Sequence, residues 1–414
     1  MTHSKRITRR SFLRQSTAAV TALGLGAGLR PRTALSVART IGANDRIVLG
    51  LIGSGGMGTV DLLAAMKEPN VVAGAVCDLA EFRLKALIEK TRDQPGGPPK
   101  AVFGDYRPML DDKGIDAVII ATPDHWHFQP FVDSIGADKH VYQQKPMCYT
   151  IEQGREMVRV AQAKPNLVVQ IGTQRRSGRH YPKAKELIDQ GKLGKITYVR
   201  CWDTRNWSRN DPFTPHPFEG KLDWERFELP CETKNKFDPY RYFAWRWYWE
   251  YAGGLVTDVG VHVMDVVHWL TGRDTPRDVV CNGGVYGLPY WQTPDVVNAV
   301  WNYGTHSVVF TANFNNGFHG DGLALYGTDA TMEVQGHDIV VTAEHGKREV
   351  IARFASENAS HEGNWIRAIR GQEKVNAPVE LGFKSLLPCL LANLAYRSGK
   401  KLSWDPQAEK VIGL

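Results

Sequence analysis

An apolar run from Ile47 to Ile52 leads directly into Gly53-Ser54-Gly55-Gly56-Met57-Gly58, and a helical pattern follows from Gly56 to Lys67. No other feature restricts the fold of this 414-residue chain as tightly. Gly53 permits a tight turn, Gly55 lets the backbone approach a pyrophosphate, and Gly58 lets helix and strand pack closely. The free amides where the helix begins, at Gly56 and Met57, offer the positive end of the helix dipole to phosphates. Asp78 stands twenty residues after Gly58, closing a second apolar run from Val71 to Cys77. A carboxylate there accepts hydrogen bonds from the adenosine ribose and repels a 2′-phosphate, which favours NAD; Arg83 nearby keeps NADP open. A glycine-rich turn without a ligand is the competing reading, and the strand, helix and acidic residue together weigh against it.

Apolar runs and helical stretches keep alternating, as in a parallel α/β sheet. The next helix runs to about Lys90, a loop spans Gln94 to Pro99, and further strands fall near Val102, at Asp116 to Ala121, Lys139 to Tyr142 and Val168 to Ile171. Beyond Lys195 the texture changes. Strand-like segments there are Ile196 to Trp202, Val279 to Val285, Val296 to Tyr303, Ser307 to Phe314, Leu323 to Tyr326 and Ile339 to Thr342. Their Gly and Asn punctuation predicts a large, mostly antiparallel sheet. Helical patterns cover Thr257 to Leu270, Asn364 to Arg370 and Lys384 to Gly399, and Asn206 to Arg241 reads as a long loop near the site. The expected fold is α/β, with a nucleotide-binding domain over 45–170 and a substrate-binding α/β domain over 171–414.

The formal charge of +7 raises the question of a nucleic-acid partner, but its distribution answers it. Seven of the 51 Lys and Arg lie within residues 1–38, and the 44 that remain equal the 44 Asp and Glu. No basic footprint for nucleic acid is expected on the folded body. The leader has the anatomy of an export signal instead. Thr8-Arg9-Arg10-Ser11-Phe12-Leu13-Arg14 resembles the twin-arginine pattern, and Ala18 to Leu29 is too short and weakly apolar to span a membrane. Ser36-Val37-Ala38 supplies small residues for cleavage. Residues 1–38 are therefore expected to be a signal for a periplasmic or otherwise exported protein, with no stable membrane insertion after processing; a disordered basic tail is the alternative. Six cysteines without CxxC spacing read as buried thiols.

Three further segments carry chemistry. Thr122-Pro123-Asp124-His125-Trp126-His127 follows a buried strand, at the sheet edge where open α/β folds bind ligands. Either histidine alone is more simply a satisfied structural residue. Gln144-Lys145-Pro146 follows the next strand, and an ammonium there can stabilise a developing alkoxide. In the segment Gly253 to Asp265, a continuous helix would put Asp258 and His262 four residues apart on one face, a carboxylate–imidazole pair suited to deprotonating an alcohol. Asp258 capping the helix, or Asp258, His262 and His268 holding a metal, are the alternatives; with no HExxH or cysteine cluster, no metal is expected.

Together, Gly53 to Gly58, the Thr122-Pro123 turn with His127, the Lys139 to Tyr142 strand leading to Lys145-Pro146, and Gly-Gly-x-x-x-Asp-x-Gly-x-His resemble the Gfo/Idh/MocA family. That family includes glucose–fructose oxidoreductase and inositol dehydrogenase. The resemblance spans about residues 45 to 270. It implies an N-terminal Rossmann domain and a C-terminal domain whose open sheet serves homo-oligomerisation. It also implies Lys145, Asp258 and His262 at the carbon oxidised, with His262 as proton acceptor, and Thr122 and Pro123 beside the nicotinamide. The family usually has Glu-Lys-Pro where this chain has Gln144, which removes a charge beside Lys145. Gln170 to Ser177 looks like the segment that enters the substrate region in related exported members, so Gln174 and Arg176 join the candidates.

Rings crowd Tyr242 to Trp249, with Trp202 and Trp207 upstream. Trp207 and Trp245 are candidates for stacking on a sugar face, while most of the others are expected to pack a domain interface. The function expected is hydride transfer between NAD(P) and a hydroxyl carbon of a sugar, glycoside or cyclitol. The rivals are a glycoside hydrolase or lyase that oxidises its substrate transiently, and a non-catalytic nucleotide-binding protein.

Overall fold

A computed structural model describes residues 46–335 and 338–414, so the leader and the expectations attached to residues 1–38 lie outside the described residues. The first layer is a six-stranded sheet, ordered β3-β2-β1-β4-β5-β6. Its strands are β1 (Ile47–Ile52), β2 (Val71–Cys77), β3 (Ala101–Phe103), β4 (Ala117–Ile120), β5 (His140–Gln143) and β6 (Val169–Ile171). Every pairing in it is parallel. Five helices alternate with these strands: α1 (Gly56–Ala65), α2 (Glu81–Thr91), α3 (Arg107–Asp111), α4 (Phe128–Gly136) and α5 (Ile151–Gln162). Helices on both faces explain why β1 and β4 are nearly continuous apolar runs; all four residues of β4 are buried. The reversal of strand order between β1 and β4 opens the crevice where such sheets bind ligands.

After α6 (His180–Asp189) the chain enters a ten-stranded sheet, ordered β14-β13-β12-β11-β7-β10-β9-β8-β15-β16. It opens with β7 (Ile196–Thr204), followed by two short helices, α7 (Trp224–Phe227) and α8 (Pro239–Phe243), then α9 (Gly254–Asp258) and α10 (Gly260–Thr271). Seven strands come next: β8 (Asp278–Gly284), β9 (Val296–Asn302), β10 (Ser307–Asn313), β11 (Asp321–Gly327), β12 (Ala330–Gln335), β13 (Asp338–Ala343) and β14 (Val350–Phe354). The chain ends with α11 (His361–Ile369), α12 (Val379–Ser398), β15 (Leu402–Asp405) and β16 (Lys410–Ile412). Among the described residues only β7 and β10 pair in parallel, so the sheet is mostly antiparallel.

Two departures from the sequence reading position the site. Where the sequence pattern predicts one helix over Thr257 to Leu270, the chain breaks at Val259 into α9 and α10. The break has a cause. The Asp258 carbonyl, which a continuous helix would offer to the His262 amide, accepts the Lys145 ammonium at 2.7 Å. His262 N donates instead to Val259 O. A side chain inserted into the ladder ends a helix in this way. The second departure is α11, which follows β14 of the large sheet in sequence yet packs Trp365, Ile366 and Ile369 into one core with Leu49, Leu51 and Leu62 of the first layer. The two layers are thus tied by the returning chain rather than divided cleanly near residue 170.

Candidate active site

A cleft of about 740 Å³ runs from the glycine turn to the start of α10. Gly53 has φ +91°, and a Cβ there would sit 2.6 Å from Ala121 O, so only glycine closes this turn against β4. A Cβ on Gly58 would lie 2.0 Å from Gly53 O; this residue faces the strand, not the cleft. Gly55, Gly56 and Met57 line the cleft, and nothing lies within 4 Å of where a Gly56 Cβ would be. At Gly55 and Gly56 the wall is thus bare backbone at a helix start, the surface a pyrophosphate needs. Asp78 also lines the cleft with its carboxylate fixed: Oδ2 accepts from Ser54 N (2.7 Å) and Ser54 Oγ (3.0 Å), and Oδ1 from Ala80 N (2.9 Å). Arg83 lies on the same wall, its Nε donating to Tyr242 Oη at 3.3 Å.

At the other end, Thr122, Pro123, Lys145, Asp258 and His262 line one space. Among the described residues, the buried Thr122 Oγ1 has no hydrogen-bond partner, as a group reserved for a ligand would. These walls fit a dinucleotide: bare amides for phosphates, a fixed carboxylate for a ribose, an unspent hydroxyl toward the reacting end. Lys145 reaches the site from the end of β5 and donates to Asp258 Oδ1 at 2.8 Å as well as to the Asp258 carbonyl. An ammonium has three N–H donors, so one is left for a substrate oxygen. Gln144 sets the stem of this lysine: its Oε1 accepts Lys145 N (3.1 Å) and its Nε2 donates to buried Asp61 Oδ2 (2.8 Å). An amide at this position therefore gives a hydrogen bond to a carboxyl group whose pKa burial raises well above the usual range, and Gln144 works against that rise.

The charges divide the labour. Burial alone would raise the Asp258 pKa, but Lys145 and then Arg246 outweigh it and hold the carboxyl well below the usual range. Burial, then the Lys145 and Arg175 charges, push His262 well below an ordinary imidazole, against the pull of Asp258. The pair therefore rests as carboxylate and neutral imidazole. Asp258 makes no side-chain cap to α10. His268 is spent elsewhere, its Nε2 lying 2.7 Å from Tyr303 Oη.

Two other candidates stand apart from the cleft. His127 is buried behind it, its Nδ1 2.6 Å from Pro146 O and its Nε2 2.8 Å from Thr122 O; burial lowers its pKa to about 4, so the neutral ring donates to one of these carbonyls and packs between the two cofactor-side turns. Arg176 forms an ion pair with fully buried Asp265 and lies over the Trp269 ring. Gln174, Trp207 and Trp245 do line the cleft. Within the aromatic run, Trp247 is fully buried and stacks on Trp291 at 3.8 Å.

Arg205 and Arg246, which no motif in the sequence singles out, both line the cleft. The signal for Arg246 lay inside the aromatic run, where a cation between Trp245 and Trp247 has rings to rest on. The long loop also does more than border the site. It lines the cleft with Phe213, Thr214 and His216, then ties down beside Asp78. Phe218 stacks on Phe82 at 4.8 Å, Glu81 N donates to Lys221 O, Asp223 N donates to Leu79 O, and Arg226 Nη1 donates to Gly104 O.

Residues 47–173 match the family described as "Oxidoreductase family, NAD-binding Rossmann fold", and residues 227–333 match the GFO/IDH/MocA C-terminal domain. Myo-inositol 2-dehydrogenase of Thermotoga maritima is 23% identical over 389 residues, 88% of this chain and 99% of that protein. Levoglucosan dehydrogenase of Pseudarthrobacter phenanthrenivorans is 26% identical over 232 residues, 54% of this chain and 51% of that one. Among solved structures, scyllo-inositol dehydrogenase from Lactobacillus casei, with bound NAD(H) and scyllo-inositol, superimposes with a TM-score of 0.63. It is 22% identical, covers 86% of this chain and 99% of its own, and shares the fold. With parallel sheet, glycine turn and both domain matches in hand, the chain belongs to the Gfo/Idh/MocA family of NAD-binding oxidoreductases.

Proposed function

We propose that the protein transfers hydride between NAD and a hydroxyl-bearing carbon of a sugar, glycoside or cyclitol. The observation that carries this is the meeting of Lys145, Asp258 and His262 in the cleft that begins at the glycine turn. The relatives that act on inositols and on levoglucosan support the substrate class. NAD, when bound, supplies the nicotinamide carbon that accepts the hydride. The third N–H of Lys145 binds the substrate oxygen and stabilises its negative charge as the C–H bond breaks. His262, neutral at working pH, accepts the hydroxyl proton, and the Asp258 carboxylate favours the imidazolium as it forms. The rings of Trp207 and Trp245 offer faces for a sugar ring. Absorbance at 340 nm, with NAD and a panel of inositols and pyranoses, tests the reading. NADH accumulating with at least one of them supports it; tight NAD binding with no substrate oxidised would leave a nucleotide-binding protein.

A second reading is favoured by the loop tied across the cleft beside Asp78, which suits a nucleotide kept in place between turnovers. On that reading the oxidised substrate eliminates a substituent and takes its hydride back. Product formed from a glycoside without net NADH distinguishes it. Export through the twin-arginine route, argued from Arg9 and Arg10, and homo-oligomerisation through the large sheet complete the proposal. Cell fractionation tests the first, and native mass spectrometry the second.

A further inference from the structure

The substrate end of the cleft is rich in charge, and nearly all of it is paired. Lys145 holds Asp258 at 2.8 Å, Arg205 grips Asp203 through two bonds of 2.8 and 2.9 Å, and Arg175 meets Asp321 at 3.0 Å. Among the described residues at this end, Arg246 is the cation that shares its carboxylate with another rather than holding one alone. Its Nε comes only within 3.5 Å of Asp258 Oδ1, the oxygen Lys145 already occupies. Buried Asp124 adds no full counter-charge at neutral pH, since burial and then the Asp258 charge push its pKa up to about 8. The Arg246 guanidinium is also held in place. It lies over the Trp245 ring at 4.2 Å and the Phe213 ring at 4.9 Å, and the residue lines the cleft. Its side chain keeps only 21% exposure, so its charge is largely out of water without a carboxylate of its own.

A fixed, planar, part-desolvated guanidinium has the geometry for an oxyanion, which it binds through two parallel N–H bonds. Because Arg246 and Lys145 touch the same Asp258 oxygen, such a group would sit close to the hydroxyl that Lys145 holds. We propose that Arg246 selects a substrate bearing a carboxylate near the oxidised carbon, a uronate-type sugar rather than a neutral one. This rests on the oxidoreductase reading above and deepens it. The neutral sugar then leaves the surplus cation unanswered, and discrimination comes from that difference. Contact with the Trp245 and Phe213 rings restricts where the guanidinium can swing, which makes the selection positional as well as electrostatic.

The test uses the full chain with NAD and matched pairs: glucuronate with glucose, galacturonate with galactose, and glucose 6-phosphate as the phosphate arm. A hydrogen bond to a charged group predicts a uronate-over-neutral ratio in kcat/KM of about 10 to 100. In Arg246→Gln that ratio should fall toward 1, chiefly through KM, and Arg246→Lys should recover part of it. Binding is followed separately, by calorimetry of each sugar with the NADH-loaded enzyme, so recognition is read without turnover. Uronate binding lost in Arg246→Gln, with no sugar of the panel oxidised, would support the subsite while counting against the oxidoreductase reading. Neutral sugars preferred by the wild type, a uronate preference that survives Arg246→Gln, or a stronger Arg246-dependent preference for the phosphate would each overturn the proposal.

Discussion

Replacing Lys145 by Met removes the charge while keeping the length of the stem, and two consequences can be worked from the geometry. The first is kinetic. If the free N–H of Lys145 is the donor to the developing alkoxide, its loss should lower kcat by about 10²–10³, the usual effect of deleting one such donor. The second concerns stability. Removing one partner of a buried pair typically costs about 3–5 kcal/mol. Here the two side chains keep 15% and 16% exposure, and Arg246 stays within 3.5 Å of the orphaned carboxylate. The expected loss is therefore smaller, about 2 kcal/mol, or a few degrees in Tm for a chain of this size. The loss should also depend on pH. In the wild type Asp258 is held well below its ordinary value, so the stability it brings is present above about pH 4 and is lost only as pH falls through the lower folded value. Without Lys145, burial raises that pKa against Arg246 alone, and protonation relieves the variant earlier as pH drops. The Tm gap between the two proteins should thus narrow from pH 7 toward pH 5. Differential scanning fluorimetry across that range, with NADH formation on the best substrate of the panel, measures both effects. Turnover within about threefold of wild type would remove Lys145 from the chemistry, and a Tm gap unchanged between pH 7 and 5 would refute the electrostatic account.

Three other outcomes are expected. His262→Ala should lower turnover by about 10²–10⁴ while NAD still binds, by fluorescence titration. Because the imidazole pKa lies well below its usual value, wild-type kcat/KM should show no acid limb near pH 6.5; a limb there would contradict the neutral-base assignment. Asp78→Ala should reduce the preference for NAD over NADP measured as a kcat/KM ratio, since Arg83 would remain without the repelling carboxylate; an unchanged ratio removes Asp78 from ribose recognition. Phe218→Ala should speed NADH release by about 3- to 10-fold in stopped-flow displacement, the loss of one stacked ring pair, and an unaltered rate would mean the loop does not retain the nucleotide.

Much of the first layer was legible because its signals are local. The glycine turn and the apolar runs at β1 and β2 depend on few neighbours, and both strands begin and end where the pattern says. The site was readable to the extent that its residues sit at sheet edges. What escaped depended on distant partners. Nothing around Val259 announces a helix break, because the group that breaks it, Lys145, lies 113 residues earlier in the chain. Arg176 and His127 carry reactive chemistry in isolation, but buried Asp265 claims the one and two carbonyls the other. α11 packs on the first layer through Trp365 and Ile366, a long-range contact invisible to periodicity. The edge strands β14 and β16 are short and partly exposed, so they lack the apolar alternation that marks β9 and β10.

A crystal structure of the enzyme with NAD and its best substrate tests the account at its centre. The account predicts the nicotinamide ring against Thr122 and Pro123, with the substrate hydroxyl within about 3 Å of both Lys145 Nζ and a His262 ring nitrogen. A nicotinamide lying away from that corner, or a hydroxyl out of reach of either side chain, would contradict it.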